Sequence, residues 1–218
     1  MVDLQKISTY LQAGKSKLVK QLVQTAIEEG IDLKKILEEG LLAGMMIIGE
    51  KFKNNEVFVP EVLMAARALN YGLAVLEPKL LEGDIKPIGK VVIGTVKGDQ
   101  HDIGKNLVAM MLKGAGFNVT DLGVDVAPDV FADKAEEIGA DIICMSALLT
   151  TTMSQMQEVI GELDRRSLRD HYIVMVGGAP VTQSFAEKIG ADWYTKDAAT
   201  AAQTAKKIME VEKNGNRK

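Results

Sequence analysis

Lys90-Val91-Val92-Ile93-Gly94-Thr95, followed by Val96-Lys97-Gly98-Asp99-Gln100-His101-Asp102-Ile103-Gly104-Lys105, decides how this chain of 218 residues is read. A short, almost wholly apolar run ends in a polar loop bracketed by glycines, and a helical pattern opens near Ile103. A strand buried on both faces and running into a helix is the unit of a parallel sheet. The unit recurs: strands are expected at Lys90–Thr95, Asn118–Leu122, Asp141–Ser146, Tyr172–Val176 and Asp192–Tyr194. Helices are expected after them, beginning near Ile103, Pro128, Met153, Pro180 and Asp197. Alternation of this kind predicts an α/β domain, a flavodoxin-like (Rossmann-type) five-stranded parallel sheet covered on both faces.

Upstream the grammar is different. Leu4, Ile7 and Leu11 share a helical face, as do Leu18, Leu22, Ala26 and Ile27. Gly30 ends that second segment, and Asp32 can cap the third, which carries Ile36, Leu37, Leu41, Met45, Ile48 and Phe52. After a break at Lys53-Asn54-Asn55, Pro60 suits the first turn of a fourth helix bearing Leu63, Ala66, Leu69, Leu73 and Leu76. The expectation is an N-terminal four-helix bundle. The stretch Glu77–Lys90, with Pro78, Gly83, Pro87 and Gly89, reads as a linker and hinge, giving domains over residues 1–84 and 88–218.

Composition narrows the function classes. The 26 basic residues are scattered against 30 acidic ones, which is no nucleic-acid footprint. The single cysteine, Cys144, sits in an apolar strand run and reads as core in a reducing compartment. The amino terminus lacks the features of a secretory signal, and no run of about 18 apolar residues suggests a membrane span. A cytoplasmic protein is expected.

In an open parallel sheet the ligand lies beyond the carboxyl ends of the strands, where strand order reverses; here that is between strands one and three. The loops meeting there are Gly98–Lys105 and Ser146-Ala147-Leu148-Leu149-Thr150-Thr151-Thr152. Of the two histidines, His171 sits among charged residues and reads as a solvated side chain. His101 has Asp99 two residues upstream, placed to hydrogen-bond one ring nitrogen and leave the other for a metal. One histidine cannot build a zinc site, and no other Cys or His is close in sequence. A metal already held by a macrocycle, a corrinoid or a haem, needs only one axial protein ligand.

Asp99-x-His101-x-x-Gly104, then Ser146-x-Leu148, then Gly177-Gly178, resembles the signature of base-off, histidine-on cobalamin-binding proteins. These include the cobalamin module of methionine synthase and the small corrinoid proteins of methanogens and acetogens. The helical half is similar as well: Gly44-Met45, Gly49, Phe52 and Phe58-Val59-Pro60-Glu61 resemble the cap over the corrin ring. The resemblance implies cobalamin or a related corrinoid, cycling between methylcobalamin and cob(I)alamin, with its cobalt held by the corrin ring and by His101. It implies that Asp99 partners His101 and that Thr152 stands where methionine synthase has the serine of a relay. Gly98, Gln100, Asp102, Gly104 and Leu148 are assigned to the cofactor with the motifs. Ser146 and Thr150 match contacts of the displaced nucleotide tail, and Ala198 matches another. Gly94, Gly177 and Gly178 match positions kept small for that tail; Glu38, Phe52, Phe58 and Val59 match the cap.

Plainer readings exist for several of these. Phe52, Phe58 and Val59 also suit bundle core, the threonine run suits a helix cap, and Gly177-Gly178 suits a strand-to-helix turn.

The function implied is that of a corrinoid methyl carrier, a non-autonomous subunit of a cobalamin-dependent methyltransferase system. Its partners would be a substrate-specific methyltransferase, a second methyltransferase acting on a thiol or tetrahydrofolate, and a reductive activase. Methylamine, betaine, methanol or methoxy-aromatic compounds are candidate donors, with methylamine or betaine types favoured. A cobalamin-dependent sensor would share the same site. A signalling receiver would need an acidic phosphoacceptor after strand three, where Ser146–Thr152 has none.

Overall fold

The computed structural model describes residues 2–82 and 87–213. It divides into two compact units, one formed by residues 1–87 with 114–116 and the other by 88–113 with 117–218.

The first unit is helical. α1 (Leu4–Gln12) starts where the Asp3 side chain accepts from the Gln5 N–H, and α2 (Ser16–Glu28) follows the left-handed Gly14. As expected, Gly30 turns the chain with positive φ and Asp32 caps the next segment by accepting from the Lys35 N–H at 2.9 Å. That segment is not one uniform α-helix. α3 (Leu33–Lys35) runs into a π-helical stretch, Ile36–Leu42, and then into α4 (Ala43–Lys53). π-Helical turns are rare and recur at functional sites. After Asn55 in the left-handed region, α5 (Val59–Glu82) completes the unit.

Two expectations change here. On α2 the buried residues are Val19, Val23 and the expected Ala26, with Leu18 exposed; on α5 the expected Ala66, Leu69 and Leu76 are buried, joined by Val62, Ala65 and Ala68, and Leu63 is exposed. On α2 adjacent apolar residues offer two periodic stripes, and close packing chooses between them; on α5 the buried face is wider than one stripe. Gly72 of α5 makes that packing possible: a Cβ there would stand 2.6 Å from Leu41 and 3.2 Å from Val19. The second change concerns the linker. Glu77–Glu82, Pro78 included, continues α5, and Gly83–Lys86 lie outside the described residues. Among the described residues one helix is long and apolar enough to cross a membrane, α5 over Val59–Leu76. Its fully buried Val62, Ala65, Ala68 and Leu76 place it in the core of the helical unit.

The second unit alternates strands and helices as the sequence predicts. β1 (Lys90–Thr95), β2 (Asn118–Asp121), β3 (Ile142–Ser146), β4 (Ile173–Gly177) and β5 (Trp193–Tyr194) form a parallel sheet in the order β2-β1-β3-β4-β5. The helices are α6 (Ile103–Gly114), α7 (Pro128–Ile138), α8 (Ser154–Arg165), α9 (Gln183–Ile189) and α10 (Ala198–Lys213). α9 begins three residues beyond Pro180, because the Thr182 side chain caps it by accepting from the Phe185 N–H. On one side of the sheet, Val92, Ile143, Met145, Val174 and Val176 pack with Phe131, Met156 and Leu163 of the covering helices. Gly94 belongs to this packing: a Cβ there would stand 2.8 Å from the Phe131 ring. Strand order reverses between β1 and β3, and their register pairs Thr95 with Ser146 at the carboxyl ends.

Candidate functional site

The polar loops meet at this reversal, and Asp99 is their centre. It is fully buried, and both carboxylate oxygens are saturated by short contacts. Oδ1 accepts from the His101 N–H at 3.1 Å and lies 2.7 Å from His101 Nδ1. Oδ2 accepts from the N–H groups of Leu148 at 2.8 Å and Leu149 at 3.2 Å, and lies 2.7 Å from the Thr152 hydroxyl. Burial alone would raise the pKa of this carboxyl. The hydrogen bonds from the His101 ring, Leu148, Thr152 and the His101 amide outweigh that and hold it well below the usual carboxylate range. Asp99 is therefore an anion, and an anion only accepts.

That fixes the imidazole. With Asp99 ionised, Nδ1 must carry the ring proton, which leaves the lone pair on Nε2. The His101 side chain is half exposed, unlike its partner. Its backbone is pinned as well: the N–H to Asp99, and the carbonyl to the hydroxyl of the buried Thr95, 2.9 Å away. Thr152 also lies 2.9 Å from the Leu149 carbonyl, so its hydroxyl closes the β3–α8 turn onto Asp99 and does not cap α8.

The remaining residues singled out from the sequence fall into three groups. Gly98 turns the loop with φ +81°; Gln100, Asp102 and Gly104 are exposed beside His101, and Asp102 accepts from the Asn106 side chain. Leu148 and Thr150 are exposed beyond β3, Ser146 is half-buried at its end, and Gly177 and Gly178 close the neighbouring strand. A Cβ on Gly178, whose φ is +131°, would stand 1.9 Å from the Ala147 carbonyl oxygen, and one on Gly177 would stand 3.1 Å from the Thr195 oxygen. The ends of β3, β4 and β5 thus approach backbone to backbone. Ala198 is buried at the start of α10. In the helical unit, Glu38 is exposed on the π-helical stretch, Phe52 and Val59 are half-buried, and Phe58 is 64 % exposed. His171 is exposed, as expected.

Sequence reasoning missed Thr95, Asp125 and the Lys105–Asp121 pair. Thr95 is a lone hydroxyl ending an apolar strand, a readable signal. Lys105 is almost fully buried in the first turn of α6, paired with Asp121 and with Asn106. A cation at a helix N-terminus opposes the helix dipole, and that oddity could have flagged a buried carboxylate partner. Asp125 had no comparable signal.

Among the described residues no three His, Cys, Asp or Glu side chains converge as a metal site. What the site offers a metal is one oriented, half-exposed imidazole nitrogen on a loop flanked by Gly98 and Gly104. These residues fit a metal that arrives with its other ligands in a planar macrocycle, the chemistry of a corrinoid.

Two family models, each described as a B12 binding domain, match residues 89–205 and 3–77. A corrinoid protein of Desulfitobacterium hafniense is 45 % identical over 201 residues, covering 90 % of this chain and 92 % of that one. The trimethylamine corrinoid protein 1 of Methanosarcina acetivorans is 43 % identical, covering 88 % and 90 %. The methanol:cobalamin methyltransferase complex MtaBC of Methanosarcina barkeri superimposes with a TM-score of 0.85 at 30 % identity, covering 94 % of this chain and 78 % of that one. The fold and site thus define a B12-binding protein. The chain belongs to the corrinoid proteins of methyltransferase systems, which bind a corrinoid and work with partner methyltransferases.

Proposed function

We propose that this protein is a methyl carrier whose cobalt ligand is Nε2 of His101. A substrate-specific methyltransferase would load it and a second methyltransferase, acting on a thiol or tetrahydrofolate, would unload it. When bound, the corrinoid supplies a cobalt centre that takes up and releases methyl groups. The observation that carries the reading is the 2.7 Å contact of His101 Nδ1 with a buried, ionised Asp99, because it selects the tautomer that presents Nε2.

The chain's own residues do three things in this reading. Asp99 holds the ring orientation and keeps the proton on Nδ1. Thr152 holds Asp99 from the opposite side. When Nε2 is not engaged by the metal it can accept a proton while Nδ1–H stays on Asp99, so ligation and proton uptake are coupled at one ring. Gly98, Gln100, Asp102, Gly104, Ser146, Leu148, Thr150, Gly177, Gly178 and Ala198 are the proposed cofactor contacts of residues 88–218, with Gly94 beneath them. Glu38, Phe52, Phe58 and Val59 are those of a cap domain over residues 1–84.

A methylamine is the favoured donor. The support is in relatives named as trimethylamine and dimethylamine corrinoid proteins, each 43 % identical to this chain. A reductive activase and a cytoplasmic setting complete the proposal. The test is reconstitution with hydroxocobalamin: a histidine-ligated visible spectrum is expected for the wild type and its loss for His101→Ala. Indistinguishable spectra remove His101 from the role. Methyl transfer from trimethylamine, dimethylamine and methanol with the cognate methyltransferases then identifies the donor.

A further inference from the structure

We propose that Asp125 is a positioning residue for the His101 turn, a role that rests on the reading of His101 as the cobalt ligand. The connection between β2 and α7 runs beside β1 past the end of the sheet. The Gly123 carbonyl accepts from the Thr95 N–H at 3.0 Å, the Val126 N–H donates to the Thr95 carbonyl at 3.0 Å, and Val126 bridges to Val96. Between these anchors Asp125 adopts a left-handed conformation, φ +55°. That conformation is unfavourable for most side chains and tolerated by aspartate, which bonds locally.

The turn it reaches is the one that carries His101. The Asp125 carboxylate accepts from the Gly98 N–H at 2.6 Å, and its own N–H donates to the Asp99 carbonyl at 3.0 Å. One residue therefore grips the peptide units on both sides of the Gly98–Asp99 bond. Gly98 is itself left-handed, and a Cβ there would meet only Thr152, at 3.6 Å. The turn is open on that side, so its shape depends on the groups that tie it. Asp99 fixes the His101 ring, the β3–α8 turn fixes the Asp99 side chain, and Asp125 fixes the Asp99 backbone. Without the Asp125 acceptor the Gly98 amide loses its charged partner and the pedestal of the imidazole loosens.

The residue choice at 125 allows a clean test. Glycine keeps the left-handed backbone and deletes the acceptor, while asparagine keeps both. Amide hydrogen exchange in the full chain without cofactor should show Gly98 protected in wild type and Asp125→Asn. In Asp125→Gly its exchange should be at least about tenfold faster, since one charge-assisted hydrogen bond is worth about that factor or more. Titration with hydroxocobalamin should then give a histidine-ligated spectrum with about threefold to tenfold weaker binding in Asp125→Gly, rescued in Asp125→Asn. Unchanged Gly98 exchange in Asp125→Gly overturns the proposal whatever the cofactor does. Faster exchange with unchanged affinity and spectrum overturns it too. If His101→Ala keeps the wild-type spectrum, the ligand assignment fails by itself, and the exchange result still decides whether Asp125 holds the turn.

Discussion

Asp99 and His101, two residues apart, form a hydrogen bond of 2.7 Å across an abrupt change of environment: the carboxylate is fully buried and the imidazole half exposed. A buried anion must be satisfied, and every N–H or O–H aimed at it lies in one of two loops, Gly98–His101 or Leu148–Thr152. The same contacts that pay for the charge therefore weld the β1 and β3 loops together and aim the ring. Asp99→Asn keeps the shape but can no longer demand a proton on Nδ1, so both tautomers become available. The expected outcome is a hydroxocobalamin complex whose histidine-ligated band is weakened at least about tenfold in affinity, with the fold intact by circular dichroism. An unchanged affinity and band would show that the tautomer is set by something else.

Thr152 tests the opposite side of the carboxylate. Thr152→Val removes a hydroxyl 2.7 Å from Oδ2 and leaves a methyl against a buried anion. Hydrogen bonds to charged groups are worth about 1.5–3 kcal/mol, and a loss of about 2 kcal/mol in urea unfolding is expected. Thr152→Ser should retain most of it. Equal losses in the two variants would assign the effect to packing.

The sheet was legible in the sequence because a parallel sheet writes itself in uninterrupted apolar runs, and Val91-Val92-Ile93 and Ile142-Ile143-Cys144-Met145 are such runs. The Asp99–His101 pair was legible because both members lie in one short loop. Ala66, Leu69 and Leu76 of α5 were legible too, but the edges of the buried faces were not: Leu18 against Val19 and Leu63 against Val62 are decided by which helix packs opposite, information that periodicity does not hold. In the π-helical stretch Ile36–Leu42 each hydrogen bond spans one residue more than in an α-helix, a difference that apolar spacing does not announce. Asp125 was hidden for another reason. Its partners, Gly98 and Asp99, lie more than two dozen positions away, and the pairing exists only because β2 lies beside β1.

Gly178 probes the approach of β4 to the β3 loop. Alanine there would be strained twice, by a φ of +131° and by a Cβ 1.9 Å from the Ala147 carbonyl oxygen. The neighbour is backbone, which cannot swing aside as a side chain would. Gly178→Ala should cost about 3 kcal/mol or more, or fail to fold, measured by thermal or urea unfolding. Gly104→Ala is the control: nothing lies within 4 Å of its added Cβ and its φ is ordinary. It should stay within about 1 kcal/mol of wild type.

Cys144 gives the alkaline limit of stability a molecular cause. It lies in β3 between Ile93 and Met175, and burial pushes its thiol up to about 12. In the unfolded chain a thiol ionises near 8.5. Below that pH both states hold the proton, and Cys144 adds no pH dependence. Between about 8.5 and 12 the unfolded state releases its proton while the native state keeps it, so stability falls as pH rises, by up to about 1.4 kcal/mol per pH unit. Tyrosines and lysines titrate over the same interval, so the measurement is a difference. The urea midpoint of wild type should fall relative to that of Cys144→Ala as pH climbs from 8 to 11, whatever offset the substitution produces at pH 7. Parallel curves would mean that the thiol ionises alike in both states. The buried thiol should also resist a disulfide reagent at pH 8 until the protein is unfolded.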